Sequence, residues 1–336
     1  MKRFLAARLA AFLVVAAFTP VLRAEAEAAY RTAPGSVQVT ISAECPEAHV
    51  SCALSRKDVQ VYQNGFRRPI VGWTPTRGDK AGLDLAILVD DTVDPKIAPQ
   101  FAELSDFIRS LLPSTRVAVV YAHDGITGVA QDFTSDHVRA ARALRLPIGT
   151  AGAASSIYDS LVDLIQRWPQ TGNRREVLLI TDGIDLNRSY AETAPGVDLA
   201  LDRAVDKSIR DGITVYSLFV SGSGQPQRNF LFVSDAQADL TWLASETGGE
   251  AYSDGFQTPA TMTPFLNGLK KSLEHQYLLT FQLEPGHYGT FQRFLVVPLV
   301  RRVELVAPEK VYVSRSRQQG HKPAKRGVEK DSGYSQ

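Results

Sequence analysis

Two apolar runs that each end in aspartates constrain this chain more than any other feature: LDLAILVDDTVD, which reaches Asp90 and Asp94, and EVLLITDGID, which reaches Asp182. A strand buried on both faces of a parallel sheet reads as continuous apolar sequence, and ligand sites of open α/β sheets lie just past the carboxyl ends of such strands. Carboxylates gathered there repel one another, so a cation, a proton or a basic side chain has to accompany them. The pattern predicts a bound divalent metal ion.

Around these two runs, strands alternate with amphipathic helices. Strands are predicted at 83–89, 116–122, 128–133, 177–181, 213–220 and 250–252. Helices are predicted at 97–112, 135–144 with Ser135 as N-cap, 157–168, 199–211 closed by Gly212, 238–247 and 261–274. Such alternation makes a doubly wound α/β fold, a mostly parallel sheet covered on both faces. On either side of it the chain turns to short β patterns: 37–41, 59–62 and, after an Asn64-Gly65 turn, 67–73, then four more from Tyr277 to Val313. These are too few and short to stand alone, and are predicted to combine into one small accessory β layer beside the α/β domain. The resulting organisation is an N-terminal β segment at 36–75, the α/β domain at 80–275, a C-terminal β segment at 276–313 and a tail at 314–336.

Lys2 and Arg3 precede an apolar stretch from Phe4 to Phe18, and Ala24-Glu25-Ala26 and Ala26-Glu27-Ala28 fit small-x-small cleavage sites. Residues 1–28 therefore read as a signal peptide, and the protein as exported, periplasmic or secreted. The stretch falls short of the ~20 apolar residues needed to cross a bilayer, and no later segment is long and apolar enough. Export makes a disulfide between Cys45 and Cys52, the only two cysteines, the natural expectation. A net charge of +1 gives no bulk attraction to nucleic acid. The tail is basic and poor in aliphatic residues, a composition that predicts disorder.

Candidate metal ligands fall in three loops. Asp90, Thr92 and Asp94 alternate along one turn, so a loop curling round an ion turns their oxygens inward while Asp91 and Val93 face away. Ser155 offers a hydroxyl ahead of the helix at 157, and Asp182 arrives from a third loop. Donors that are all oxygen suit a hard cation, magnesium first, with calcium or manganese as alternatives.

At these residues the chain resembles the von Willebrand factor A domain, and in particular the acidobacterial von Willebrand factor A-related family. That family's metal-ion-dependent adhesion site is an Asp-x-Ser-x-Ser loop, a Thr in a second loop and an Asp in a third. Asp90-Asp91-Thr92-Val93-Asp94 stands in the first place, Ser155 in SSIYD is similar to the Thr of TALYD, and Asp182 in LLITDGID stands in the third. LSRKDVQVYQNGFRRPIVGW resembles the family's leading β segment and HQYLLTFQL its trailing one, so the resemblance covers 36–313. Asp94 departs from the pattern by putting a carboxylate where the family has a neutral hydroxyl. Added negative charge there strengthens bare metal binding and weakens the pull on an acidic partner.

What the resemblance implies is a secreted binding or adhesion protein that engages a protein or matrix ligand through the metal-bearing face. Two alternatives stand beside it. In one, Asp94 accepts bonds from its own loop's amides, no ion binds, and the chain is a metal-independent scaffold. In the other it is a metal-dependent phosphohydrolase with Asp90 as nucleophile or ligand. Against that stand the absent Asp-x-Asp at 90–92, the absent Gly-rich phosphate loop, and the absence of His or Cys from the motif loops. The expectation is not an enzyme, with partner and oligomeric state open.

Overall fold

The computed structural model describes residues 35–45, 53–149, 156–185, 198–223, 229–286 and 288–314. The elements below belong to one compact unit, from which the short loop 170–172 is separate. The expected signal peptide, Cys52, Ser155 and the basic tail lie outside the described residues. No described helix is long and apolar enough to cross a membrane.

The chain opens with β1 (Ser36–Glu44), β2 (Val59–Gln63), β3 (Phe66–Arg68) and β4 (Ile70–Pro75). It continues through β5 (Leu83–Asp90), α1 (Ala98–Ser110), β6 (Thr115–His123), β7 (Ile126–Thr134), α2 (His137–Arg142), α3 (Ile157–Gln166), β8 (Arg174–Thr181) and α4 (Leu199–Asp211). Then come β9 (Ile213–Phe219), α5 (Phe230–Thr247), β10 (Ala251–Tyr252), α6 (Thr263–Glu274), β11 (Gln276–Gln282), β12 (Thr290–Pro298), β13 (Glu304–Val306) and β14 (Lys310–Val313).

The central sheet has the order β10-β9-β8-β5-β6-β7. Its strands run parallel except β7, which returns antiparallel to β6. The turn between them places Asp124 and Gly125 at φ of 51° and 74°, the left-handed pair that a two-residue hairpin requires. Counted from β5, the order is the doubly wound 3-2-1-4-5-6, whose topological switch point lies between β5 and β8. Every residue of β5 is buried, because alternate side chains enter different cores. Leu85, Ile87 and Val89 pack with Leu104 and Ile108 of α1 and Leu269 of α6. Ala86 and Leu88 pack with Leu161 of α3, Ala204 of α4 and Leu243 of α5. A continuous apolar run is what that double burial demands.

The accessory strands form two sheets rather than the single layer expected. One has the order β13-β1-β11-β4 and the other β14-β12-β2-β3. Ile41, Leu279 and Phe281 of the first share a core with Val61, Phe294, Val311 and Val313 of the second. Short strands with one apolar face bury it by stacking two sheets, since one four-stranded layer would leave half that surface in water. The Asn64-Gly65 turn is as expected, at φ of 51° and 85°.

Two helix boundaries also move. α2 is capped by Asp136, whose carboxylate accepts from Arg139 N, not by Ser135. α5 begins at Phe230, eight residues before its expected start, with Asn229 accepting from Leu231 N.

Candidate functional site

Asp90 ends β5 at the switch point. Its Oδ1 accepts from Thr92 N at 2.9 Å and from the Thr92 hydroxyl at 2.8 Å. Oδ2 accepts from Thr181 Oγ1, at the end of β8, at 2.7 Å. The residue is 3% exposed. Burial pushes its pKa up, the Thr181 and Thr92 donors pull it down, and Asp91 raises it further.

Asp91 faces away from this pocket, as expected, and finds its own cation. Arg145 grips both carboxylate oxygens at 2.7 and 2.8 Å, and its guanidinium lies 3.7 Å from the centroid of the Tyr121 ring. The Tyr121 hydroxyl accepts from Arg145 N and donates to Arg145 O, both at 2.6 Å. The bond to Asp91 raises the Arg145 pKa above its ordinary value. A bidentate, stacked arginine of this kind fixes the 145–149 loop against the aspartate loop.

The loop after β9 closes the other side. Val93 pairs with Gly222 in an isolated antiparallel bridge, Asp94 N donates to Ser221 O at 3.0 Å, and Ser223 N donates to Thr92 O at 2.9 Å. Ser223 Oγ also donates to Thr92 O at 3.0 Å and to Gly149 O. Gly149 N in turn donates to Asp91 O at 2.9 Å. Asp182 is buried beside this loop, with Oδ1 accepting from Ile184 N at 2.9 Å. A Cβ added at Gly222 would overlap Asp182 Oδ2, so only glycine lets backbone and carboxylate come this close.

The expected ligands thus divide. Asp90, Thr92 and Asp182 come to the switch point, linked through Thr181 and Gly222. Asp94 does not turn inward: it caps the 3-10 turn Pro95–Ile97 by accepting from Lys96 N at 3.0 Å, and pairs with Lys96 Nζ at 3.5 Å, its side chain 30% exposed. Proline at the first position of that turn makes the preceding aspartate an N-cap, which competes with any role facing an ion. Ser155 lies outside the described residues. Its neighbour Ser156 caps α3 and donates to Asp185 Oδ2 at 2.9 Å, tying the second loop to the third. Among the described residues, no three His, Cys, Asp or Glu side chains form a group able to hold a metal.

A hard cation nonetheless fits part of this donor set. The three bonds to Asp90 leave one of its roughly four lone-pair sites open, and the Thr92 hydroxyl, donating its proton to Asp90, keeps its own lone pairs. Asp90 is also a buried carboxylate whose partners are all neutral donors.

Four members of this constellation escaped sequence reading: Thr181, Asp185, Arg145 and Gly222. Thr181 and Asp185 flank Asp182 in ITDGID and were within reach, since polar residues at a buried strand's end carry that signal. Arg145 and Gly222 have no local pattern.

No family model matches the chain, and no curated protein matches it. Among solved structures, an aerotolerance-related membrane protein from Bacteroides fragilis NCTC 9343 is 16% identical over 57% of this chain and 98% of that one, with a TM-score of 0.39. A von Willebrand factor type A structure from Catenulispora acidiphila is 13% identical over 70% and 67%, with a TM-score of 0.40. The ArnB paralog VWA2 from Sulfolobus acidocaldarius is 8% identical over 83% and 76%, with a TM-score of 0.36. The α/β region has the doubly wound sheet order, with Asp90 and Asp182 standing at its switch point, that the resemblance to von Willebrand A domains implies.

Proposed function

We propose that this chain is an exported binding protein that engages a protein or matrix partner through the rim at the carboxyl ends of its central strands. The observation that carries this reading is the apolar surface flanking the polar site. Phe230 and Leu231, at the start of α5, are 61% and 67% exposed, and Ile126, at the start of β7, is 63% exposed. Phe256, beyond β10, meets Phe230 edge to face at 4.8 Å. Leu146 and Ile148 are exposed on the loop that Arg145 fastens to Asp91. Exposed aromatic and aliphatic side chains round a polar centre suit protein recognition, where a few apolar anchors supply most of the affinity.

A divalent cation belongs to the same reading, magnesium by preference, with calcium or manganese as alternatives. Asp90, Thr92 and Asp182 would hold it, with Ser155 as a further donor. Asp94 would take no direct part, because its carboxylate is committed to Lys96. The ion would supply positive charge against the buried Asp90 and an open coordination position for an acidic partner.

Calorimetric titration of the mature protein with magnesium tests the ion. Asp182→Ala is expected to abolish the binding heat, while Asp94→Ser, which retains a capping side chain, leaves it unchanged. Equal heats from wild type and Asp182→Ala would remove the ion from the proposal. For the partner, immobilised wild type and Leu231→Asp are compared for proteins retained from the cell-surface fraction. A partner held equally by both would place the binding face elsewhere.

A further inference from the structure

Two ion pairs on the Arg145 side of the rim are arranged alike, with the acid beneath and the cation outward. The Asp91 side chain is 2% exposed against 46% for Arg145, and that of Asp94 30% against 90% for Lys96. The segments carrying them touch: a Cβ added at Gly149 would lie 2.6 Å from Pro95 Cδ, and Gly149 N donates to Asp91 O at 2.9 Å. The charges cancel within each pair, but the groups shown to water are cationic. Between Arg145 and Gly149, Leu146 and Ile148 are 46% and 56% exposed, while Pro147 is buried. Cationic and apolar groups thus share one short loop.

The Arg145 guanidinium is only partly used inside the protein. Such a group has five N–H donors in one plane. Asp91 takes one from Nη1 and one from Nη2, and Leu146 O takes the other from Nη1 at 3.0 Å. Nε and the second hydrogen of Nη2, which point the same way in a guanidinium plane, have no acceptor among the described residues. The bond to Asp91 and the Tyr121 ring, 3.7 Å from the guanidinium carbon, hold that second edge in place. An arginine ordered in advance loses little side-chain freedom on binding, and the edge matches the two oxygens of a carboxylate. We propose that Arg145 receives an acidic side chain of the rim's protein partner. The carboxylate accepts from Nε and Nη2, and an apolar side chain beside it packs on Leu146 and Ile148. The contact rests on the rim being the binding face, and it needs no ion, because Arg145 supplies the positive charge.

The test is NMR of the isotopically labelled mature protein in EDTA, titrated with acetyl-Leu-Asp-Leu-amide and, separately, with its asparagine counterpart. The Arg145 Nε–H resonance is expected to shift saturably with the aspartyl peptide, and the asparaginyl peptide to bind about tenfold more weakly, the usual effect of losing a charge-assisted hydrogen bond. Arg145→Lys keeps the charge but has no second edge. Followed at the Ile148 amide, it should weaken aspartyl-peptide binding about tenfold. Arg142→Ala, which removes a whole charge from the end of α2, should weaken it less. The proposal is overturned if Arg145 does not shift, if both peptides bind equally, or if Arg142→Ala weakens binding as much as Arg145→Lys, since attraction would then be bulk charge. Where Arg145 stays unmoved but Leu231 or Ile126 shifts, the role of Arg145 falls and the rim remains the binding face. Where every shift lies away from the rim, that reading falls with it.

Discussion

Asp90 and Glu176 are both wholly buried carboxylates, one at the carboxyl end of β5 and the other near the amino end of β8, and what surrounds them differs in kind. Glu176 has a cation two residues away: Arg174 Nη1 lies 3.6 Å from its Oε1. Gln276 Nε2 donates to Glu176 Oε2 at 3.2 Å and reaches the Tyr216 hydroxyl at 3.0 Å and Ser42 Oγ at 3.3 Å. Arg174 continues outward to Ala81 O at 3.1 Å. Burial pushes the Glu176 pKa up and Arg174 pulls it down. Asp90 has hydroxyls and an amide, but no cation among the described residues. The cost of burying charge is thus met by a cation inside the protein where the sheet joins the accessory strands, and by neutral donors alone at the rim. A paired buried charge is a fastener, and an unpaired one at a switch point is a candidate site.

The sharpest way to break that comparison is to remove the internal cation. Arg174→Met leaves Glu176 buried and uncompensated, which is expected to cost about 3–5 kcal/mol in urea unfolding. Adding Glu176→Met should restore much of the loss, because two apolar side chains replace the pair. Asp90→Asn, which relieves a buried charge while keeping the shape, should cost far less than Arg174→Met. If it costs as much, Asp90 is part of the packing and the distinction fails.

Gly222→Ala addresses the rim itself. The added methyl collides with the Asp182 carboxylate, and overpacking of this kind costs about 1–3 kcal/mol. The same substitution should weaken magnesium binding by displacing Asp182, which stability alone does not report. A variant as stable as wild type that also binds magnesium equally well would mean that the 220–223 loop does not shape the site.

These residues also mark how far a sequence can be read. β5 and β8 were legible because both faces of each strand are buried, so apolar character is unbroken and an aspartate at the end stands out. The start of α5 was not, because Phe230 and Leu231 face water; the apolar periodicity that signals a helix begins only at Val233. Those exposed side chains are also what points to a partner. Likewise, Asp94 reads as an inward donor by alternation, until Pro95 after it makes it a cap. Arg145 meets Asp91 across 54 residues, a pairing made by tertiary packing, with no period to betray it. The two-sheet arrangement was hidden for the same reason: strand alternation shows one buried face but not what covers it.

A third carboxylate shows the remaining way to meet the same cost, with a proton. Glu44, at the end of β1, stands opposite Glu304 on β13 and shares a side-chain hydrogen bond with Glu250, beside β10. Tyr252 donates to Glu250 Oε2 at 2.7 Å, and Lys271 of α6 acts on Glu44 in the opposite sense, lowering its pKa. Two carboxyl groups can share such a bond only when one is protonated, and the Glu44 pKa is raised from 4.5 to about 8, by Glu250 first and burial second. Between these values the folded protein holds a proton that the unfolded chain releases, so folding stability falls as pH rises through that window. The contribution is whole below about 4.5 and gone above about 8. Because Glu44 is only half-buried, solvent screening makes this the smallest of the three effects. Glu44→Gln donates the bond at every pH; its melting temperature should match wild type near pH 5 and exceed it near pH 8.5. Parallel melting curves for the two proteins across that range would mean that no proton is shared, and that Lys271 compensates Glu44 as Arg174 compensates Glu176.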